Sequence, residues 1–149
     1  MRTQCIHQQY AATQVTTADR LQLVVMLYEG AIAFLRQAQD RMAARDASGK
    51  GLYLGKALDI IAELNASLNF PEGGEVAANL FRLYNFMTAH LTRANLNWDG
   101  DAVQAVLEML ENLKEAWTEA VQKARRGEIA DGGELPPDAY RTHKGSVRV

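Results

Sequence analysis

The chain has 149 residues, with 16 Lys and Arg against 18 Asp and Glu and 48% hydrophobic residues, a length that suits one domain with a substantial core. The net charge of -2 argues against nucleic acid or an anionic lipid surface as a partner, because both attract a surplus of Lys and Arg. One cysteine forms no internal disulfide, the first residues lack a secretory signal, and no apolar run reaches the about 18 residues of a membrane span. The chain is therefore predicted to be cytoplasmic, without membrane insertion.

The first predicted element is a long amphipathic helix from about Ala18 to Ala44. Thr16 or Thr17 is a suitable N-cap, and Asp19 in the first turn is favoured by the helix dipole. The apolar residues recur every three or four positions and so share one face: Leu21, Val24, Tyr28, Ala31, Leu35, Ala38 and Met42.

A loop of residues 45–49 leads to a second helix, predicted over about Leu52 to Leu68. Ser48-Gly49-Lys50-Gly51 lacks the spacing of a phosphate-binding loop and is predicted to be a solvated turn. The helix is predicted to stop at residues 69–74, where a proline and two glycines make continuation costly. Its apolar stripe consists of Leu54, Ala57, Leu58, Ile61, Leu64 and Leu68.

Two further helices follow, and Asp99 is a suitable N-cap for the second of them. The third helix carries Val76, Leu80, Leu83, Met87, Leu91 and Ala94 and ends before Asn97; the fourth carries Val103, Val106, Leu110, Leu113, Trp117, Ala120 and Ala124.

Four long helices joined by short loops are predicted to form an all-α, antiparallel, up-down-up-down four-helix bundle, because a short loop returns the chain to the neighbouring helix. The bundle spans residues 17–124. Residues 1–16 are predicted to form an N-terminal arm and residues 125–149 a flexible C-terminal tail. No alternating pattern of β-branched residues predicts a sheet.

The sequence contains no recognisable catalytic constellation. No Glu-x-x-His pair occurs, and His7, His90 and His143 each lack a second ligand at helical spacing. Cys5 has no neighbour that would activate its thiolate. The carboxylates of the fourth helix, which begin with Glu108, fit a solvated face. We therefore predict no enzyme activity, no metal and no cofactor.

The apolar surfaces of the helices are wider than one seam requires, which permits two interpretations. They can form a groove for an amphipathic segment of a partner, or they can widen the core. The additional apolar residues are Val25, Leu27, Ile32 and Phe34 on the first helix and Phe81 and Tyr84 on the third.

Several motifs together closely resemble the FliS family of flagellar secretion chaperones, in the family's order and over about residues 10 to 124. They are Tyr10-Ala-Ala-Thr-Gln-Val15, Leu27-Tyr28-Glu29-Gly30-Ala31-Ile32, Ile60-Ile61-x-Glu63-Leu64-Asn65-Ala66-Ser67-Leu68, Gly73-Gly74-Glu75-Val76-Ala77, Leu91-x-x-Ala94-Asn95-Leu96 and Ala116-Trp117.

The resemblance implies a helical bundle that binds the disordered C-terminal segment of flagellin and prevents its premature polymerisation. It also implies help with delivery to the flagellar type III export apparatus, with an export gate component as a second partner and without ATP hydrolysis. The alternative is a regulatory adaptor whose main partner is another flagellar protein or the export gate. Both readings predict binding rather than catalysis.

The resemblance also suggests residues for a client-binding groove. Tyr10 lies in a segment that resembles an arm able to fold back on the bundle and give way to client. The asparagines offer amides that can bond a client backbone or hold neighbouring loops, and several apolar members fit the core equally well. The full set is Tyr10, Leu27, Tyr28, Phe34, Asn65, Leu68, Asn79, Leu80, Leu83, Tyr84, Leu91 and Asn95.

Two features depart from the family pattern. Thr17-Ala18-Asp19 stands where family members commonly show Ser-Pro-Glu, which removes a proline whose fixed φ favours helix initiation. Residues 127–149 extend beyond the family motifs, and Leu135-Pro136-Pro137 with Tyr140 can be either a docking peptide or an ordinary flexible end.

Overall fold

The computed structural model describes residues 15–129, and this part of the chain contains four α-helices and no strand. They are α1 (Thr17–Ala43), α2 (Ala47–Ala66), α3 (Phe70–Asn97) and α4 (Gly100–Arg125). The predicted all-α fold is confirmed, and the predicted bounds of the first helix are correct within one residue. Among these helices, none is both long enough and apolar enough to cross a membrane.

The helices run antiparallel to their neighbours. Glu29 of α1 lies 3.9 Å from Lys114 of α4, whereas Gln39, further along α1, bonds to Gln104 at 2.7 Å. The residue further along α1 thus contacts the residue nearer the start of α4, so the two helices point in opposite directions. Helix α1 packs closely along α2 and α4, and α3 packs less closely against the same two helices. The bundle is thus up-down-up-down, with the start of α1 and the end of α4 at one end.

Each helix begins at a side chain that accepts a bond from the backbone N–H three residues later, at 2.9 to 3.2 Å. Such a bond satisfies one of the N–H groups that a helix start leaves without a partner. The caps are Thr16, Asp46, Asn69 and Asp99. Two of them, Thr16 and Asp99, were expected from the sequence.

Helix α2 begins five residues before the predicted start, so the prediction of a solvated turn at residues 48–51 was wrong. The cap at Asp46 starts the helix at Ala47, and Lys50 is buried with 6% of its surface exposed. Its Nζ donates to the carbonyl of Asn95 at 2.5 Å and lies 4.2 Å from the ring centroid of Trp98. The lysine therefore ties the first turn of α2 to the end of α3.

Replacing this lysine should destabilise the fold. Lys50→Met keeps the apolar stem but removes the ammonium that satisfies a carbonyl in the last turn of α3, where positive charge is favoured. We expect a loss of about 1 to 3 kcal/mol in the free energy of unfolding, measured by urea denaturation. Lys56→Met, at an exposed position of the same helix, is the matched control and should change the value far less. Equal losses in both variants would contradict the role of Lys50.

Helix α3 also begins earlier than predicted, at Phe70 rather than after residues 69–74. Pro71 lies in the first turn, where its missing N–H costs nothing. Gly74 has φ +51° and ψ -124° and interrupts the helical path, a conformation that only glycine adopts without strain. The first turn of α3 is therefore offset from the rest of the helix. The helix was predicted to end before Asn97, whereas it includes Asn97 as its last residue.

The core fills the centre of the bundle with side chains from all four helices. Its largest members, each at most 2% exposed, include Tyr28, Leu35, Leu54, Ile61, Leu83, Tyr84, Met87, Leu91 and Leu110. A smaller cluster lies at the end of the bundle where α1 starts and α4 stops, and it consists of Leu21, Val25, Ala120, Val121 and Ile129.

Candidate functional site

An open apolar groove of about 480 Å³ lies at the end of the bundle where α1 and α3 begin and α2 ends. Its apolar wall is formed by Val24 of α1, Leu64 of α2, Leu68 just after α2, Val76 and Leu80 of α3, and Trp117 of α4. Its polar rim includes Arg20, Glu72 and Glu75. An apolar concavity with a charged rim is typical of a site that takes a peptide or another largely apolar ligand.

The glycine pair at the start of α3 shapes one side of this groove. A methyl group at Gly73 would come within 2.8 Å of the side chain of Ala77, so only glycine lets the first turn lie this close to the next. Gly74 supplies the break in the helix, and the space beside it is open. The two glycines therefore bring the offset turn against the groove without adding side chains that would fill it.

The floor of the groove is formed by Tyr84, which pairs with Tyr28 in the core beneath it. The hydroxyls of Tyr28 and Tyr84 are 2.5 Å apart and hydrogen-bonded, with ring centroids separated by 6.5 Å. The ring of Trp117 lies 6.5 Å from that of Tyr28. Tyr84 and Trp117 also line the groove, so this aromatic cluster joins the core directly to the candidate site.

Burial raises the pKa of Tyr28 to about 12, although the hydrogen bonds with Tyr84 and Trp117 act in the opposite direction. Burial, followed by the nearness of Tyr28, raises the pKa of Tyr84 well above its ordinary value. Both hydroxyls therefore stay protonated at neutral pH, and the floor of the groove is uncharged.

The fold should lose stability in alkali because these pKa values are higher in the folded than in the unfolded chain. The stabilisation is fully present below about pH 10, the ordinary tyrosine pKa, and is lost as the pH rises through 12. We expect the urea midpoint to fall steeply between about pH 10 and 12. The Tyr28→Phe/Tyr84→Phe variant should fall much less, and parallel curves for the two proteins would contradict this assignment.

Two exposed aromatic side chains on α3 extend the apolar surface next to the groove. Phe70 and Phe81 contact each other edge to face, with centroids 5.8 Å apart, and are 47% and 43% exposed. Phe70 directly follows Asn69, which lines the groove. Exposed aromatic pairs are common anchor points in protein interfaces.

The structure brings together only some of the predicted groove residues. Leu68, Leu80 and Tyr84 line the groove. Leu27 and Phe34 lie elsewhere, half-buried on α1, and the Phe34 ring is 6.2 Å from Tyr53 of α2. Tyr28, Leu83 and Leu91 are buried in the core. Tyr10 lies outside the described residues.

The three predicted asparagines are spread over the bundle, and the side chains of Asn65 and Asn79 are bonded within the protein. The amide of Asn65 donates to the Oδ1 of Asn85 at 3.0 Å, and the Oδ1 of Asn79 accepts a bond from Arg82. Asn95 lies near the opposite end of α3, where its backbone carbonyl accepts the bond from Lys50 described above. None of the three lines the groove.

Sequence reasoning did not assign Val24, Leu64, Val76, Trp117 or Arg20 to the site. The four apolar residues belong to the predicted stripes, where periodicity cannot separate a groove wall from a core position. In the structure Val24, Val76 and Trp117 are half-buried at the groove, whereas Leu64 is only 2% exposed beneath it. Within residues 15–129, no group of three His, Cys, Asp or Glu side chains is placed to hold a metal ion.

Comparisons with known proteins agree in pointing to one family. The family model described as flagellar protein FliS matches residues 3–124. The flagellar secretion chaperone FliS of Salmonella typhimurium is 40% identical over 111 residues, which cover 74% of this chain and 82% of that protein. The protein of the same name from Vibrio cholerae is 39% identical over 105 residues, which cover 70% of this chain and 77% of that protein. The one from Escherichia coli is 36% identical over 120 residues, which cover 80% of this chain and 88% of that protein.

Proposed function

Because the chain belongs to the FliS family of flagellar secretion chaperones, we propose that it binds the disordered C-terminal segment of flagellin in the cytoplasm. In this role it prevents premature polymerisation and assists delivery of the subunit to the flagellar type III export apparatus. Chaperoning is a non-enzymatic activity, and it requires a surface that holds an unassembled client.

The observation that carries the proposal is the open apolar groove at one end of an otherwise closed core. An amphipathic helix can lay its apolar side chains against Leu68, Val76 and Leu80, while Arg20 and Glu72 meet its polar flanks. The aromatic pair Phe70 and Phe81 provides further exposed area for a longer segment.

Occupation of such a groove blocks assembly without any use of nucleotide. The apolar face through which one flagellin segment would associate with another is covered by the chaperone, so the two events exclude each other. Ordering a disordered client costs several kcal/mol of the interaction energy, which keeps the complex reversible. A reversible complex is what delivery requires, because the client must leave. An export gate component is the proposed partner for that step.

A calorimetric titration with the C-terminal peptide of flagellin from the same organism tests the proposal, with circular dichroism recorded alongside. We expect saturable binding and a gain of helix in the complex. A peptide with its apolar residues changed to serine is the control and should not bind. No binding up to roughly 100 μM, which corresponds to about -5.5 kcal/mol, would contradict the proposal and favour the regulatory adaptor, whose partner a pull-down from lysate would then identify.

A further inference from the structure

One side of α3 carries a stripe of basic and aromatic side chains away from the groove. Arg82, Phe86, His90 and Arg93 recur every three or four residues, so they share one face of the helix. Both arginines are exposed, and Phe86 is 45% exposed. None of the four lines the groove, and Phe86 is ten residues beyond Val76 of the groove wall, or about 15 Å along the helix axis. These four residues, the α3 stripe, therefore form a separate surface.

Contacts within the α3 stripe hold its side chains along the helix. The rings of Phe86 and His90 are stacked, with centroids 4.9 Å apart and planes inclined by 23°. The guanidinium of Arg93 donates to Nδ1 of His90 at 3.3 Å, and the guanidinium of Arg82 donates to Oδ1 of Asn79. Both arginines thus bond to uncharged acceptors, a ring nitrogen and an amide oxygen, and an exposed aromatic ring lies between them.

The positive charge of the α3 stripe is not balanced by carboxylates of the described chain. Residues 76–98 contain no Asp or Glu. Within residues 15–129, neither Arg82 nor Arg93 forms an ion pair. On the neighbouring helix α4, Glu111 pairs instead with Arg36 of α1. The stripe therefore offers two guanidiniums to a negatively charged partner.

The spacing of the two arginines indicates the kind of partner. They are eleven residues apart, which is three helical turns and about 16 Å. A partner helix with two carboxylates at this spacing can bond both guanidiniums, and apolar side chains between the carboxylates can cover Phe86. Arg and Phe are both enriched in protein interfaces. A nucleic acid would require more positive charge than two arginines on a chain of net charge -2.

We propose that the α3 stripe binds an acidic amphipathic helix of a protein other than the client, and that it does so while the groove is occupied. Docking of the acidic helix depends only on α3. The simultaneous binding rests on the proposed function, and it is possible because the groove and the stripe use different residues of α3. Charge then separates the two partners, since the groove wall is apolar and the stripe is basic.

A designed peptide tests the proposal on the full-length chain. It is an alanine-based helix of about 20 residues, with two glutamates eleven residues apart and two leucines between them on the same face. Titration into the isotope-labelled protein should shift the backbone amide NMR signals of residues 82–93 saturably, with a Kd below about 1 mM. Arg82→Glu/Arg93→Glu should weaken this binding at least about ten-fold. A peptide with lysine in place of both glutamates should bind that variant instead.

A matched variant separates the stripe from a general effect of charge. Lys56→Glu/Arg125→Glu makes the same change of charge at exposed positions of α2 and α4, and it should leave the affinity for the acidic peptide unchanged. Equal weakening in both double variants, with urea denaturation showing both to be folded, overturns the proposal. So does the absence of saturable shifts at residues 82–93. Shifts there on dilution of the protein alone, or tighter binding of a single-stranded oligonucleotide, would assign the stripe to a second copy or to nucleic acid and overturn it as well.

The flagellin peptide distinguishes this proposal from the function proposed above. When that peptide saturates the groove, the acidic peptide should still bind with the same affinity. Displacement of the acidic peptide by the flagellin peptide would make the stripe part of the client site, which overturns the proposal. Shifts from the acidic peptide together with no flagellin binding would support the stripe and contradict only the proposed function.

Discussion

The variant Leu68→Asp/Val76→Asp should lose affinity for the C-terminal flagellin peptide by at least about 100-fold. Both side chains are half-buried and line the groove. Full burial of one such side chain is worth about 1.5 to 3 kcal/mol, and a carboxylate in its place must also be desolvated by an apolar client. Titration calorimetry at one salt concentration measures the loss, and the expected value follows from about 1.4 kcal/mol per ten-fold change.

A matched variant at the other end of α3 separates the groove from a general effect of added charge. Leu96 is 76% exposed and lies near the end of α3, whereas the groove lies at its start. Leu96→Asp should bind the peptide with wild-type affinity. Leu68→Ser/Val76→Ser gives a milder change for comparison if the aspartates lower the stability of the bundle. Wild-type affinity in all folded groove variants would place the client elsewhere.

The helical fold could be predicted from sequence because one physical signal dominates it. Apolar residues at spacings of three and four, such as Leu21, Tyr28 and Leu35, have to face a common core. Because the connecting loops are short, each helix must pack antiparallel to the one before it, which gives the antiparallel bundle. Thr16 and Asp99 marked helix starts correctly because a capping side chain acts locally, on an N–H only three residues away.

The two early helix starts show where local signals fail. Residues 48–51 have the composition of a turn, but the cap at Asp46 and the buried ammonium of Lys50 hold them in a helix. The bond from Lys50 joins residues 45 positions apart, which no short pattern reveals. At Pro71 the sequence signal was ambiguous, because proline terminates a helix but is also favoured in a first turn.

The groove was only partly predictable for a related reason. Leu68 and Leu83 are both apolar members of helical stripes, yet Leu68 lines the groove while Leu83 is buried in the core. Leu68 lies just beyond the end of α2 at Ala66, and the groove that it lines also contains the offset at Gly74, whereas Leu83 lies within α3 on the face that meets the core. Periodicity identifies the face on which a residue lies, but how closely the opposing helix approaches that face depends on the whole bundle.

Tyr28→Ala should be among the most destabilising single substitutions in the bundle, with an expected loss of about 3 to 5 kcal/mol in the free energy of unfolding. The side chain is fully buried between Tyr84 and Trp117, so its removal leaves a cavity beneath the groove as well as an unpaired hydroxyl. Tyr28→Phe keeps the ring and therefore tests only the effect of leaving the Tyr84 hydroxyl unpaired. It should cost only about 1 to 3 kcal/mol, the penalty of a buried polar group without its partner.

A double-mutant cycle distinguishes the hydrogen bond from simple packing. If the hydroxyls of Tyr28 and Tyr84 stabilise each other, Tyr28→Phe/Tyr84→Phe should cost less than the sum of the two single losses, because no tyrosine hydroxyl of the pair is then left without its partner. Urea denaturation of the four proteins at neutral pH gives the coupling, which we expect to reach about 1 kcal/mol or more. Strictly additive losses would mean that the floor of the groove is held by ring packing alone. A positive coupling would identify this polar pair as a specific element joining the core to the groove.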